Sequence, residues 1–342
     1  MQVWRALGLG LLVAVVLGLA GYGTLALWYN LPDAIGAARS FVVLGYPALG
    51  VGGLVLALWY RRLVAPLLPF ALATGVFLFW WSTVEPSNDR LWQPDVARLA
   101  SAEIDDDTVH LRNVRRFSYR SADDFTPRWG ERTVDLGKLE TLDLFAVYWM
   151  GDAIAHIMLS FGFQDEEPVT ISIETRKEVG EDYSTLAGFF RQYELYYVVS
   201  EEPDVVALRT TYREPPEDVY LFRVDVPKEH IRRLFLHYLG EINRLNDEPE
   251  WYNTLTTNCT TAIATHVRAL GGDLPISWRV ILSGYFPSLL YDRGVLDQSL
   301  PHEELRRRSL INDRAEAAIG APDFSERIRE GLPGMERSAR NP

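Results

Sequence analysis

Three long runs without a charged residue open the chain: Ala6 to Trp28, Ser40 to Tyr60 and Leu63 to Val84. At 1.5 Å of rise per residue, each is long enough to cross a hydrocarbon core of ~30 Å. One such run would also suit a helix buried in a soluble core, but three in succession predict three transmembrane helices. The first is too long for a cleaved leader, and two more follow it. Gly45, Pro47, Gly50, Pro66 and Pro69 interrupt the runs, as membrane helices tolerate. After Val84 the pattern changes. Residues 85–102 are polar and contain proline, which reads as a linker. Thr108 to Tyr119, Asp143 to Trp149, Ala155 to Phe163, Val169 to Arg176, Tyr193 to Ser200, Val205 to Tyr212 and Val219 to Val226 have the length and β-branched or aromatic content of strands. Pro227 to Asn246 carries Ile231, Leu234, Phe235, Tyr238 and Leu239 on one face, so it predicts an amphipathic helix with proline in its first turn. Thr260 to Leu270 reads as a second helix, and Leu274 to Val295 as helix and turn. From residue 298 the chain turns charged, with the run Arg306 to Arg308 read as a solvated face. Strands first and helices last predict an α+β fold with a central antiparallel sheet and flanking helices. The expected organisation is a three-helix anchor (1–84), a linker (85–102), an extracytoplasmic domain (103–297) and a polar C-terminal tail (298–342).

Charge adds orientation and excludes one class of partner. Arg5 precedes the first run, and Arg61-Arg62 separate the second from the third. Positive-inside logic puts these in the cytoplasm and everything after the third helix outside. For a bacterium that means the inner membrane, with the following domain in the periplasm and the lipid bilayer as partner through residues 6–84. Residues 1–84 hold four arginines against Asp33, a net of +3, so the formal −12 of the whole chain leaves −15 on the remainder. So acidic a domain has no electrostatic footprint for nucleic acid.

The chain has a single cysteine, Cys259, in the stretch Trp251-Tyr-Asn-Thr-Leu-Thr-Thr-Asn-Cys-Thr-Thr. One cysteine excludes an internal disulfide, and an unpaired thiol outside the cytoplasm is a liability unless it is buried or used. Cys259 follows turn-favouring Asn258 at the start of a helix, where backbone N–H groups and the helix dipole favour a thiolate. A small buried hydrophobe is the other reading. A thiolate nucleophile needs a base, and the base needs an orienting group. His266 lies seven residues on, about 10 Å along the helix, too far to touch the sulfur. His230 and His237 fall on a surface-type helix, His302 in the polar tail and His110 in an ordinary strand. His156 sits in an apolar strand. On the next strand Ser172, Glu174 and Arg176 share one face. A hairpin across residues 164–168 would bring Glu174 or Ser172 beside His156. Trp251 and Tyr252 are candidates for a cleft wall, and Asn258 and Ser172 for substrate contacts. No HExxH motif or Gly-rich phosphate loop is present, so neither metal nor cofactor is expected.

The strings RNVRRFSYRS, DFTPRW, LDLFAVYWMGDAIAHIMLSFGF, ISIETRKEVGEDYSTLAGFFRQYELYYVV, VYLFRV and EWYNTLTTNCTTAI resemble the Lnb N-terminal periplasmic domain family from about Trp92 to Leu290. More distantly, this family is similar to circularly permuted papain-like hydrolases, the NlpC-type peptidases and lecithin-retinol-type acyltransferases. The resemblance implies a strand histidine first (His156), a cysteine later at a helix start (Asn258-Cys259), and a third polar residue on the strand after the histidine (Glu174 or Ser172). It implies a thiol hydrolase or acyltransferase acting on an amide or ester of a cell-envelope peptide, lipoprotein or lipid. A non-catalytic envelope protein that keeps the fold to bind a partner is the alternative.

Overall fold

The computed structural model describes residues 2–335. In it the chain divides into two units, Met1–Ser87 with Tyr183–Tyr193, and Asn88–Asp182 with Glu194–Pro342.

The first unit is built on helices α1 (Gln2–Asn30), α2 (Ala37–Tyr60) and α3 (Val64–Ser82). All three are long and apolar enough to cross a membrane. Side chains such as Leu11, Phe41, Leu44, Val76 and Phe79 are exposed on their outer surfaces, which suits a hydrocarbon solvent and not water. Where the helices touch, small residues let them approach. A Cβ on Gly23 would lie 2.4 Å from the Tyr46 ring, and one on Gly53 would lie 2.8 Å from the Pro66 carbonyl oxygen. Tyr22, Tyr46, Phe77 and Trp81 pack ring against ring between them. The segment Tyr183–Tyr193 belongs to this unit. Phe190 stacks on Tyr29 with centroids 5.8 Å apart, and Arg191 donates to the carbonyls of Trp81 and Val84.

The second unit is a twisted sheet with helices on both faces. Its strands are β1 (Ser101–Asp105), β2 (Thr108–Arg115), β3 (Ser118–Tyr119), β4 (Phe125–Thr126), β5 (Trp129–Asp135), β6 (Leu139–Tyr148), β7 (Ala155–Phe163), β8 (Glu166–Arg176), β9 (Glu194–Ser200) and β10 (Asp218–Arg223). The order is β1-β2-β9-β8-β7-β6-β10, with β5 on β2 and a separate β3-β4 pair. Strands β6 to β9 are antiparallel neighbours buried along most of their length, as their nearly continuous apolar sequence requires. Three helices follow β9 and β10: α4 (Glu202–Ala207), α5 (Lys228–Asp247) and α6 (Cys259–Ala269). One face of the sheet is covered by α5, where Phe235 packs on Phe161 and Phe163 with centroids 4.9 and 5.7 Å apart. Short helices α7 (Trp278–Ile281) and α8 (Phe286–Asp292) complete the segment after α6.

Three stretches differ from the sequence expectation. Val205 to Tyr212 is not a strand: Glu201-Glu202-Pro203-Asp204 starts α4, which runs into a π-helical turn over Leu208–Tyr212. Its β-branched valines mimic a strand because they are buried against the sheet. Within the stretch read as a linker, Trp92, Val96 and Ala100 lie in the core. The segment expected as a polar tail folds into α9 (His302–Arg308), α10 (Asn312–Ala317) and α11 (Phe324–Arg327). Ile311, Ala315, Phe324, Ile328 and Leu332 pack with Phe145, Val147, Met158, Tyr196 and Val198 on the second face of the sheet. Ile311 and Ala315, like Phe324, Ile328 and Leu332, stand four residues apart, a helical spacing hidden by the charge of the segment as a whole. Arg329 anchors the segment by donating to Asp143 Oδ2 at 2.9 Å and Glu202 Oε2 at 2.7 Å. The last seven residues of the expected tail lie outside the described residues.

Phe324 is 1% exposed. Its replacement by alanine is expected to cost about 3–5 kcal/mol, read as a lowered denaturation midpoint of the full chain in detergent. A loss under ~1 kcal/mol would mean that these helices are peripheral.

Candidate active site

Two local structures place the candidate nucleophile and base. Asn258 is the N-cap of α6, and its Oδ1 accepts from the N–H groups of Thr260 and Thr261 at 3.1 and 2.9 Å. Thr261 Oγ1 accepts the Asn258 N–H in return, closing a capping box. Cys259 is thereby fixed as the first residue of the helix, with its Sγ 3.9 Å from the carbonyl oxygen of Ala155. His156 is the next residue on β7. Met158 pairs with Ser172 across the β7-β8 hairpin, and continuing that register by two residues sets Glu174 opposite His156.

The side chains meet as the alternation requires. His156 Nε2 lies 2.6 Å from Ser172 Oγ and 3.0 Å from Glu174 Oε1. Ser172 donates its hydroxyl to the same Oε1 at 2.7 Å. The Cys259 side chain is near enough to the imidazole to help raise it. With Nε2 engaged by Ser172 and Glu174, Nδ1 is the ring nitrogen left for the thiol. Burial works against a charged His156. The Glu174 carboxylate outweighs it, aided by Cys259 and by its own hydrogen bond, and lifts the imidazole to about 9. Glu174 moves the other way: burial would raise it, but His156 and Arg209 hold it well below the usual carboxylate range. The pair is therefore an imidazolium and a carboxylate at neutral pH.

Of the other sequence candidates, Ser172 is fully buried inside this hydrogen-bonded line. Asn258 has its side chain turned to the helix start, with Nδ2 donating to the Thr254 carbonyl. Tyr252 is buried, and Trp251 bridges to Glu194 with the Arg90 guanidinium 5.6 Å from its ring. None of these contacts places Asn258, Tyr252 or Trp251 in the line through His156. His266 has both ring nitrogens occupied, by Tyr197 Oη at 2.7 Å and His237 Nδ1 at 2.8 Å. Burial and the neighbouring His237 push it down to about 3, so it stays neutral.

Two residues escaped the sequence reading. Arg209, in the π-helical turn, donates from Nη2 to Glu174 Oε1 at 2.8 Å. Its only sequence signal is a lone arginine in an apolar run. Tyr238 on α5 is 1% exposed, and its hydroxyl has no hydrogen-bond partner among the described residues. Burial, then Tyr197 and Cys259, raise it well above the usual phenol range, so it is a protonated donor in the neighbourhood of the thiol. Periodicity alone reads it as core. No group of three or more potential ligands for a metal ion occurs among the described residues.

Comparison with known families bears out the resemblance: residues 125–284 match the model of the Lnb N-terminal periplasmic domain. The match spans His156, Ser172, Glu174, Arg209 and Cys259. No curated protein and no solved structure matches the chain.

The raised His156 makes a signed prediction. Its charged form contributes stability fully below the unfolded histidine value of ~6.5, and this is lost as pH rises through about 9. In ¹⁵N-histidine NMR of the full chain, His156 is expected to titrate near 9, and much lower in Glu174→Gln. Titration of His156 below ~6.5 in both proteins would contradict the ion pair.

Proposed function

We propose, from the Lnb-type periplasmic domain that residues 125–284 match, that this is a membrane-anchored thiol enzyme of papain-like type. It is a hydrolase or acyltransferase acting on an amide or ester of a cell-envelope peptide, lipoprotein or lipid. The observation that carries this reading is the line Cys259–His156–Ser172/Glu174, in which the imidazole sits between the thiol and a half-buried carboxylate. The order of the residues supports it too: strand histidine first, cysteine later at a helix start, as in permuted papain-like enzymes. Arg5 and the Arg61-Arg62 turn support an inner-membrane protein with a cytoplasmic N-terminus and a periplasmic domain.

The chemistry follows from the placement. Cys259 Sγ attacks the carbonyl carbon as the thiolate held beside the His156 imidazolium. Glu174 orients the ring and stabilises the imidazolium. Asn258 takes the N–H groups of Thr260 and Thr261, which leaves the N–H of Cys259 for the developing oxyanion. His156 then gives its proton to the departing amine or alcohol, and a thioester remains on Sγ. Water releases it in a hydrolase; an acceptor amine or hydroxyl releases it in a transferase.

The test needs no knowledge of the natural substrate. The full chain in detergent, treated with an activated acyl ester, is expected to gain one acyl mass, removable by neutral hydroxylamine and absent in Cys259→Ser. His156→Ala is expected to slow its formation at neutral pH by about 10²–10⁴-fold. An equal rate in His156→Ala would refute the catalytic pair and favour the binding-protein alternative.

A further inference from the structure

The carboxylate behind His156 has a second layer of charge. Arg209 Nη1 lies 3.5 Å from Glu217 Oε2, and Arg213 pairs with the other oxygen of Glu217. Arg209 is 5% and Glu217 6% exposed, and the Arg209 Nε–H has no partner among the described residues. The turn that carries Arg209 is π-helical, a geometry that is rare and concentrated at functional sites. A buried ion pair is a weak device for stability, since apolar side chains of similar volume often do as well. Its presence here calls for another reason.

Counting charge supplies that reason. Glu174 and Glu217 are matched by Arg209 and Arg213, so the cluster is neutral when Cys259 and His156 are neutral. It stays neutral when they become thiolate and imidazolium. The other charged or titratable groups around the site come from four elements. Arg115 of β2 is tied to Asp204 of α4 at 2.8 Å and acts on Arg209 from a distance. Tyr238 of α5 and Tyr197 of β9 are both held in the protonated form by burial. None of these adds a net charge.

We propose that Arg209 and Glu217 form a charge-balancing pair that sets the pH window in which Cys259 and His156 work together. This rests on reading those two residues as a catalytic pair. The prediction has opposite signs for its two members. Arg209→Gln leaves one carboxylate in excess, which favours the imidazolium and opposes the thiolate, so both limbs of the window move up. Glu217→Gln leaves one cation in excess, and both limbs move down. A role in folding alone would not produce opposed shifts.

Reaction of Cys259 with iodoacetate, followed by intact mass, reads both limbs. The rate rises as the thiolate forms and falls when the imidazolium no longer attracts the anionic reagent. Measured on the full chain in detergent from about pH 4 to about pH 10, the wild-type profile is expected to be a bell. Arg209→Gln is expected to move it up by about one unit and slow the acid limb about tenfold, and Glu217→Gln to move it down by about one unit. Arg209→Lys, which keeps the charge, is expected to stay close to wild type. Shifts in the same direction, or no shift, in variants that still melt cooperatively would overturn the inference. If Arg209→Gln does not fold, Glu217→Gln decides alone: a downward shift supports the pair, and an upward or absent shift overturns it. A profile unchanged by His156→Ala is a separate outcome, which removes the catalytic pair itself.

Discussion

One carboxylate oxygen organises the site. Glu174 Oε1 accepts from Ser172, His156 and Arg209 within 3.0 Å, and each donor comes from a different constraint of the fold. Ser172 shares its face because side chains alternate along β8. His156 arrives through the antiparallel register of β7, and Arg209 through the π-helical turn after α4. Cys259 joins from the far side, on the imidazole nitrogen that the carboxylate line leaves free, because the capping box fixes where α6 begins.

The same face of the sheet carries a second buried cluster. Asp143 pairs with Arg223 and Arg329, and Glu202 pairs with Arg329 and accepts from Ser160. Charges taken out of water cost several kcal/mol each unless paired and hydrogen-bonded, so in both clusters every charge is paired, although the Arg209 Nε–H has no partner among the described residues. Their roles differ. The Asp143 cluster ties the C-terminal helices to the sheet and touches no nucleophile. The Glu174 cluster ends on an imidazole beside a thiol. The pairing rigidifies both, and in the Glu174 cluster that rigidity holds the imidazole in one orientation.

The strand pair that builds the site was legible in the sequence. Two apolar strands separated by a short polar turn fix a hairpin, and alternation along β8 puts Ser172 and Glu174 beside His156, so both candidates for the third position proved to be members of one line. The three apolar helices were legible for the same kind of reason, since length and absence of charge decide them. Arg209 was hidden because Val205 and Val206, buried against the sheet, give α4 the look of a strand. The C-terminal helices were hidden because Phe324, Ile328 and Leu332 form a thin stripe at four-residue spacing within a segment dominated by charge, glycine and proline. Asn258 was rightly located at the helix start, but its side chain is turned to the N–H groups of that helix and not toward a cleft. That orientation is itself local, because its partners Thr254, Thr260 and Thr261 lie within four residues, and an asparagine at a helix start favours capping over an outward contact.

The central claim is that Glu174 acts on Cys259 only through His156. A double-mutant cycle on the rate of acylation at Cys259, with His156→Ala, Glu174→Gln and the double variant, tests it most directly. The account predicts a double variant no slower than His156→Ala alone, because without the imidazole there is nothing for the carboxylate to orient. Fully additive losses would contradict it, since Glu174 would then act on the sulfur or the substrate by a route of its own.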